Sequence, residues 1–471
     1  MDLKNRLTRT PYLVLFILLG VAGIGTAYAG VLPLITLAGD VLITGDTELE
    51  GKLLDTNDDA GTSGQVLSTT ETGIDWIDNT GSDTLAGLGC TTDQIAKFDG
   101  NSWICGKQMI KNNPISTVDN AGNVGWFTSI AIGMDNNPVI SYWDVINNDL
   151  KVAHCGNALC SAGNNVTTID GVDKVGTSTS IAIGTDGNPV ISYWDVTNFD
   201  LKVAHCGNAS CSAGNNVITV DNSTDIVGQW SSIAIGTDNN PVISYSDGTN
   251  NDLKVIHCGN ASCSFNNTIT TVDNSTDNVG LYTSIAIGAD DNPVISYYDQ
   301  TNGDLKVAHC GNTSCSAGNV ISTADSSLNN VGIITSIAIG IDNNPVISYR
   351  DNTNFDLKVT HCGNPSCSAG NVITNIDFFN KIAAASSIAI GPDNNPVISY
   401  YEETTGSLKV AHCGNISCTD GNVITVVYTT GDVGQHTSIA IGTDGNPVVS
   451  FYDADNDNLK VVVEGIFLIF E

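Results

Sequence analysis

Six histidines stand directly before a cysteine, and this pattern is the first candidate for chemistry because both side chains bind metal ions. Each of these cysteines is followed five positions later by a second one, in the pattern C-x4-C. An equivalent seventh position has Val463 in place of the histidine, Glu464 in place of the cysteine, and no second cysteine. The two cysteines are thus lost together, as the two partners of a disulfide would be. We therefore interpret the cysteines as disulfides, and the histidines as structural residues that pack within a sheet. The histidines are His154, His205, His257, His309, His361 and His412.

All 14 cysteines of the chain occur in pairs. An even count at regular spacing is typical of proteins exported to an oxidising compartment. The predicted disulfides are Cys90–Cys105, Cys155–Cys160, Cys206–Cys211, Cys258–Cys263, Cys310–Cys315, Cys362–Cys367 and Cys413–Cys418.

Aspartate and asparagine concentrate in recurring turns, and their oxygens suit Ca²⁺. Asp453, Asp455 and Asp457, with Glu464 at position 12, resemble an EF-hand loop, but Asn458 occupies the position that requires glycine. Aspartate and asparagine are also favoured turn residues. We therefore predict no cofactor, with a structural calcium ion at the three aspartates as the alternative.

Eight N-x-S/T sequons are candidates for N-glycosylation in an exported chain. Several lie in a repeated G-N-x-S-C loop, so turn formation is the alternative explanation for them. The sequons begin at Asn165, Asn208, Asn222, Asn260, Asn266, Asn274, Asn312 and Asn415.

The elements that must position these residues are themselves repeated. The pentapeptide S-I-A-I-G occurs seven times, with a period of 51 or 52 residues, beginning at Ser129, Ser180, Ser232, Ser284, Ser336, Ser387 and Ser438. Within one unit, short runs of Val, Ile, Ser, Thr and Tyr alternate with Asp/Asn/Gly/Pro turns, which predicts four strands, A to D. Strands A and C are apolar on both faces, so each sheet must be covered on both sides. We predict an all-β fold, a seven-bladed β-propeller of four-stranded blades over residues 113–471.

The two ends of the repeat array predict how the ring closes. The segment Pro114–Asp119 matches strand D although it precedes the first strand A, and the seventh copy breaks off after strand C. We therefore expect the N-terminal segment to complete the last blade. In the alternative, a two-residue turn at Glu464 and Gly465 leads into Phe467–Phe470 as that blade's own strand D.

Two positions differ between the copies and are therefore free to serve recognition. One is the dipeptide ahead of S/T-S-I-A-I-G, and the other is the residue after I-S-Y. Strand alternation places both at one end of the ring, beside the acidic B–C turns. Aromatic rings bordered by Asp and Asn suit sugars, although aromatic residues can also simply fill blade interfaces. The predicted ligand-binding residues are Trp126, Trp143, Trp194, Trp230, Tyr282 and His436.

Residues 113 to 465 resemble exported propeller repeat proteins built from units such as S-I-A-I-G-x-D-G-N-P-V-I-S-Y-Y-D, and more remotely the sialidase-like and lectin propellers. The resemblance implies the propeller architecture. Enzymatic sialidases are expected to carry S-x-D-x-G-x-x-W boxes and an arginine cluster. This propeller has no such box and a single arginine, Arg350, so the resemblance does not extend to glycoside cleavage.

Residues 30–112 differ from the repeats and form a second region. The run Leu53–Leu67, continuing to Asp75-Trp76-Ile77, resembles spacer segments of phage tail fibres and bacterial surface fibres, which implies a small β-rich stalk and a homotrimer. Gln94–Cys105 resembles a hairpin module of such proteins, with Cys90–Cys105 closing its base. The alternative is a flexible linker.

The first 29 residues have the pattern of an export signal. Lys4, Arg6 and Arg9 precede an apolar stretch from Tyr12, and Ala27-Tyr28-Ala29 supplies a cleavage site. The alternative is an uncleaved membrane anchor over residues 12–29. We predict a secreted or cell-surface protein.

The net charge and the absence of enzyme motifs reduce the number of function classes that fit this sequence. Fifty acidic against 17 basic residues give a net charge of −33, which repels nucleic acid and is expected to coat the surface of the folded core. Nucleophile-elbow, zincin, P-loop and dinucleotide motifs are absent, so we predict that the chain is not an enzyme. The leading hypothesis is a non-enzymatic binding or adhesion protein whose partner is an extracellular glycan, another polar polymer or a surface protein. The alternatives are a structural component of a cell-envelope layer and a divergent sialidase-like polysaccharide hydrolase or lyase.

Overall fold

A computed structural model describes residues 113–469, apart from 328–329 and 379–380, together with the backbone of short strands between residues 65 and 112. Contacts divide the chain into residues 1–106 and residues 107–471. The proposed signal segment 1–29 and Cys90 lie outside the described residues, so the predicted Cys90–Cys105 bridge stays a prediction. Among the described residues, a search for a helix of membrane-spanning length and hydropathy found none.

The described part of the first unit contains two small two-stranded sheets, the first of them antiparallel. Gln65–Thr70 pairs with Gly73–Asp78, and Gln94–Phe98 lies beside Trp103–Lys107 in the segment where a hairpin was expected. The stalk and the trimer inferred for this region stay predictions.

Residues 115–463 contain seven four-stranded antiparallel blades, so the predicted seven-bladed β-propeller is confirmed. Strand A of blades 1 to 7 is Val124–Ile132, Val175–Ile183, Val227–Ile235, Leu281–Ile287, Val331–Ile339, Ile382–Ile390 and Val433–Ile441. Strand B is Pro138–Asp144, Pro189–Asp195, Pro241–Asp247, Pro293–Asp299, Pro345–Asp351, Pro396–Glu402 and Pro447–Asp453. Strand C is Asp149–His154, Asp200–His205, Asp252–His257, Asp304–His309, Asp356–His361, Ser407–His412 and Asn458–Val463. Strand D is Asn165–Asp170, Asn216–Asp221, Thr268–Asp273, Val320–Asp325, Val372–Asp377, Val423–Tyr428 and, in blade 7, Ile115–Asp119.

The N-terminal segment closes the ring. Ile115–Asp119 pairs with strand C of blade 7, with Asp119 opposite Leu459. The rival C-terminal segment, Ile466–Ile469, pairs with Met109–Asn112 in a separate two-stranded sheet. Closure by the N-terminal strand, which the displaced repeat predicted, is therefore what the structure shows. It gives blade 7 its fourth strand and joins the two ends of the repeat array by backbone hydrogen bonds.

The hydrophobic core lies between neighbouring blades. One cluster joins Leu150 and Val152 of blade 1 to Ile181, Ile191 and Tyr193 of blade 2, all of them buried. Equivalent clusters recur around the ring, including one between blades 7 and 1. Because each sheet is packed on both faces, its strands carry apolar side chains on both sides.

The repeated serine of S-I-A-I-G connects the innermost strands. The Ser129 hydroxyl accepts a hydrogen bond from the backbone N–H of Ile181 in the next blade, at 3.1 Å. Ser438 accepts the equivalent bond from Ile130 at 3.2 Å and so links blade 7 to blade 1. Strands A of different blades do not share a sheet, so the serine side chain provides a lateral hydrogen bond that the backbone does not.

A buried tyrosine, aspartate and lysine recur at the blade interfaces. The Tyr142 hydroxyl donates to Asp119 at 2.6 Å, and the Lys151 ammonium lies 3.2 Å from the same carboxylate. Asp119 belongs to the closing strand, so the last interface is built like the others. Burial and the neighbouring carboxylate raise the pKa of Tyr142 well above its ordinary value, so its hydroxyl stays protonated.

The interface between blades 6 and 7 carries a compensating exchange. Tyr428 occupies the position of the aspartate, and Phe451 occupies that of the tyrosine. The Lys460 ammonium donates to the Tyr428 hydroxyl at 3.2 Å. The exchange removes the carboxylate together with the tyrosine hydroxyl that would have paired with it.

Candidate functional site

We call the end of the propeller formed by the D–A loops and the B–C turns the axial face. Strand A enters the ring from this face through a β-bulge. Gln229 pairs with Ser246 and Ser232 with Ser244, so the two residues between Gln229 and Ser232 oppose only one residue of strand B. Trp230 lies within the bulge and has a φ of 55°. The same left-handed conformation recurs at the second dipeptide position of other blades, namely Phe127, Ser178, Tyr282, Ile334 and His436.

The bulge is held through its backbone carbonyl, which accepts a hydrogen bond from a hydroxyl of the next blade, and does not require a large side chain. The Trp230 carbonyl accepts a hydrogen bond from Thr283 of the next blade at 2.8 Å. In blade 2 the carbonyl of Ser178 accepts the equivalent bond from Ser231 at 2.9 Å. Because the small Ser178 and the large Trp230 both occupy this position, its side chain is free to vary with function.

Four of the predicted binding residues line one cavity. It has a volume of about 310 Å³ and lies at the axial face across blades 1 to 3. Trp143 is nearly buried, whereas the other three indoles are partly exposed. The lining tryptophans are Trp126, Trp143, Trp194 and Trp230.

The other two predicted residues extend this aromatic surface in both directions. The Tyr282 ring lies 4.2 Å from that of Trp230, measured between centroids. His436 packs against Trp126 at 4.9 Å and against Phe127 at 4.7 Å. The six residues therefore span five neighbouring blades, from blade 7 through blades 1, 2 and 3 to blade 4. We call this the aromatic surface.

The cavity also contains residues that were not predicted from the sequence. Phe127 shares its dipeptide with Trp126, so the same signal could have identified it. Thr177 is the first residue of the blade 2 dipeptide, so that signal also covers its position. Lys174 carries no comparable signal, and it reaches the cavity because the loop before strand A of blade 2 lies beside Trp143. The Lys174 ammonium stands 5.1 Å from the centroid of the Trp143 ring.

Polar atoms around the cavity have no partner among the described residues. They are the indole nitrogens of Trp143 and Trp194 and the hydroxyl of Thr177, and all three are shielded from solvent. A buried polar group in a native protein normally has a hydrogen-bond partner. The cavity therefore combines apolar ring faces with unsatisfied hydrogen-bonding capacity.

His436 contributes an uncharged ring to this surface. Desolvation lowers its pKa to about 4. The imidazole is therefore neutral at pH 7 and contacts the neighbouring rings as an aromatic group.

The acidic B–C turns are occupied by their own donors. Asp144 accepts hydrogen bonds from two backbone N–H groups, those of Ile146 and Asn147, and from the Asn147 amide at 2.9 Å. Lys151 lies 3.2 Å from the same carboxylate. The aspartate at the end of strand B thus caps the turn and binds the lysine that follows it.

The candidate calcium loop shows the same arrangement. Asp453 accepts from the Asn456 amide at 2.9 Å and lies 2.6 Å from the Lys460 ammonium. Burial opposes ionisation of Asp453, but the hydrogen bonds from Lys460 and Asn456 outweigh it and lower its pKa. Asp457 accepts from the Tyr452 hydroxyl at 2.5 Å. Within the described part of the chain, no group of three or more His, Cys, Asp or Glu side chains is arranged to hold a metal.

The histidines and disulfides lie at the opposite end, near the A–B turns. The six C-x4-C disulfides form as predicted, and such bridges are typical of an extracellular or secreted protein. The His154 imidazole does not pack inside its sheet as expected. It reaches the carboxylate of Asp135 in its own A–B turn, at 3.1 Å, because it stands at the end of strand C. His412 differs and pairs with the buried Glu464 of blade 7 at 2.9 Å.

The sequons lie in several structural settings. In the G-N-x-S-C loops the asparagine holds the turn, as where Asn415 accepts hydrogen bonds from the backbone of Ser417 and Thr419. Asn266 is exposed in the C–D loop of blade 3, Asn222 and Asn274 are exposed in D–A loops, and Asn165 is the first residue of strand D in blade 1.

No protein-family model matches this sequence, and no curated protein matches it either. Solved structures are similar in fold. A protein of unknown function from Dyadobacter fermentans is 9% identical, with 76% of this chain and 99% of that chain covered and a TM-score of 0.48. The polysaccharide lyase Uly1 is 10% identical, with 79% and 94% covered and a TM-score of 0.47. The NanB sialidase from Streptococcus pneumoniae is 8% identical, with 74% and 70% covered and a TM-score of 0.43.

The prediction that the chain is not an enzyme is wrong. Solved structures similar to it include a lyase and a sialidase, so the missing motifs on which the prediction rested do not exclude catalysis in this fold. At these identities the likeness shows the fold alone and assigns no activity to this chain.

Proposed function

We propose that the axial face binds an extended glycan or a similar polar polymer, with the aromatic surface as the contact for sugar rings. The observation that carries this proposal is the convergence of Trp126, Trp143, Trp194 and Trp230 on one cavity of about 310 Å³. These are also the only tryptophans after residue 112, so the repeat places every tryptophan of the propeller at this site.

The chemistry of the cavity suits a carbohydrate. A sugar ring has an apolar face, which stacks on an aromatic ring, and a rim of hydroxyls, which needs hydrogen-bond partners. The unpaired indole nitrogens of Trp143 and Trp194 and the Thr177 hydroxyl supply such partners once a side chain rotates toward the ligand. An extended polymer suits the surface better than a small molecule does, because the aromatic surface continues past the cavity to Tyr282 and His436.

The experiment is a glycan array followed by calorimetric titration of the best polymer with the wild type and Trp230→Ala. Removing a stacking aromatic should cost on the order of 1 to 3 kcal/mol, because that much apolar burial is lost. We expect binding to weaken about tenfold or more. The fold should remain intact because the Trp230 carbonyl, and not its indole, bonds Thr283.

Phe265→Ala is the matched control. Phe265 is an exposed aromatic residue in the C–D loop of blade 3, at the end of the propeller opposite the axial face, so its truncation should leave affinity unchanged. Unchanged affinity in both Trp230→Ala and Trp126→Ala would refute the proposal. Absence of binding across the array would favour a structural role in a cell-envelope layer. Release of shortened or unsaturated sugars from the bound polymer would show that the protein cleaves the polymer as well as binding it.

A further inference from the structure

The basic residues of the propeller fall into two groups. From residue 113 onward the sequence has ten, and seven of them are the lysines of the repeated L-K-V segment, which form buried ion pairs. The remaining three are Lys174, Arg350 and Lys381. All three lie on the axial face, Lys174 and Lys381 in D–A loops and Arg350 at the end of strand B in blade 5. The net charge of the chain is −33, and from residue 113 onward every lysine and arginine outside the blade interfaces therefore lies on the proposed binding face.

Arg350 and Lys381 share one aromatic support. The Arg350 guanidinium carbon lies 4.9 Å from the centroid of the Phe355 ring, and the Lys381 ammonium lies 5.4 Å from the same centroid. Neither cation has a carboxylate within 4.0 Å among the described residues. The Arg350 Nε is buried and has no hydrogen-bond partner there.

This cationic pair adjoins the far end of the aromatic surface. Arg350 occupies in blade 5 the position that Trp143 and Trp194 occupy in blades 1 and 2. Burial raises the pKa of Tyr282, the last ring of the aromatic surface, and the charge of Arg350 partly offsets that rise. A polymer lying along the aromatic surface and past Tyr282 would next meet Arg350.

Resting on the proposed function, we infer that Arg350 and Lys381 form a subsite for an anionic substituent of the bound polymer, the carboxylate or sulfate of an acidic sugar. A guanidinium presents several N–H donors in one plane and can bind such an oxyanion through two parallel hydrogen bonds. An ammonium adds a point charge at the side. Stacking on Phe355 holds the guanidinium in place without neutralising it.

The test compares three polymers: neutral dextran, polygalacturonate and dextran sulfate. Each is titrated into the wild type, Arg350→Gln, Arg350→Lys and the double variant Arg350→Gln/Lys381→Gln. We expect at least one acidic polymer to bind more tightly than dextran, and Arg350→Gln to weaken that binding about tenfold, with a further loss in the double variant. Arg350→Lys should keep part of the affinity for a sulfate, and less for a carboxylate that needs the planar fork.

Thr237→Asp is the matched control for overall charge. It lowers the net charge by one, as Arg350→Gln does, but lies exposed beside the A–B turn of blade 3, at the opposite end of the propeller. It should leave affinity unchanged. Two results would overturn this inference: equal binding of dextran and both acidic polymers, or equal losses of affinity in Thr237→Asp and Arg350→Gln. The proposed function would then still be tested separately by Trp230→Ala. Absence of binding to any of the three polymers would overturn the inference as well, and the glycan array would then decide the proposed function alone.

Discussion

Replacing Tyr245 with phenylalanine tests how the blade interfaces are held. The Tyr245 hydroxyl donates to Asp221 Oδ2 at 2.8 Å in a fully buried interface. The Lys254 ammonium lies 4.0 Å from that oxygen and is closer to Asp247, at 2.7 Å. Tyr245→Phe therefore removes the main donor to Oδ2 and adds no volume.

The equivalent change in blade 2 provides the comparison. Tyr193 also donates to its aspartate, Asp170, at 2.8 Å, but the Lys202 ammonium lies 2.5 Å from the same oxygen. In Tyr193→Phe, Asp170 keeps its close ion pair with Lys202. In Tyr245→Phe, the nearest ammonium to the Asp221 Oδ2 atom is that of Lys254, at 4.0 Å. Removing a hydrogen bond to a buried charge lowers the free energy of unfolding by about 1.5 to 3 kcal/mol when the charge is left without a close partner. The loss is about 1 kcal/mol when another partner remains. We expect Tyr245→Phe to cost about 2 kcal/mol and Tyr193→Phe about 1 kcal/mol.

Urea unfolding followed by circular dichroism measures both variants against the wild type. The midpoint should fall in both, and by roughly twice as much in Tyr245→Phe, with an unchanged slope. An equal loss in the two variants, or a larger one in Tyr193→Phe, would refute the role assigned to the lysine distance.

Three further predictions concern closure, pH and redox state. Deleting residues 1–120 removes the closing strand and the Asp119 partner of Tyr142, so this variant should unfold roughly 5 °C or more below the deletion of residues 1–112; equal unfolding temperatures would refute closure by Ile115–Asp119. The pKa of His436 is about 4 in the folded protein and about 6.5 in the unfolded chain, so the unfolded state binds the proton first as the pH falls. The free energy of unfolding should therefore drop by about 2 kcal/mol between pH 7 and pH 5. His436→Gln should lose that part of the pH dependence, and an unaltered pH profile would contradict the assignment. Folded protein should react with a thiol reagent at none of the six C-x4-C pairs, and labelling at more than one pair would show that the bridges do not form in solution.

The fold could be predicted because its information is local. Turns such as Asp290-Asp-Asn-Pro293 separate strands of fixed length, and the repeat multiplies that signal seven times. Closure was also predictable, since Pro114–Asp119 carries the strand D pattern in a displaced position. The aromatic residues were found because they depart from an otherwise constant unit.

Interactions between blades were not predictable from one unit. The acidic excess was expected to coat the surface, yet Asp119, Asp144 and Asp221 are buried because tyrosine, lysine and turn amides pair with them. Tyr245 and Asp221 stand 24 residues apart with no spacing rule to connect them. The Arg350 and Phe355 contact likewise depends on where a B–C turn places the ring. Such features arise from packing, which sequence pattern does not report.

The most direct measurement is intrinsic tryptophan fluorescence during titration with the polymer that the array selects. A protein carrying Trp76→Phe and Trp103→Phe keeps four tryptophans, Trp126, Trp143, Trp194 and Trp230, and all four line the proposed cavity. Binding at the axial face should change the emission of this protein with the same midpoint as calorimetry, and Trp230→Ala should move both midpoints together. Calorimetric binding with no change in emission would place the ligand elsewhere and contradict the account.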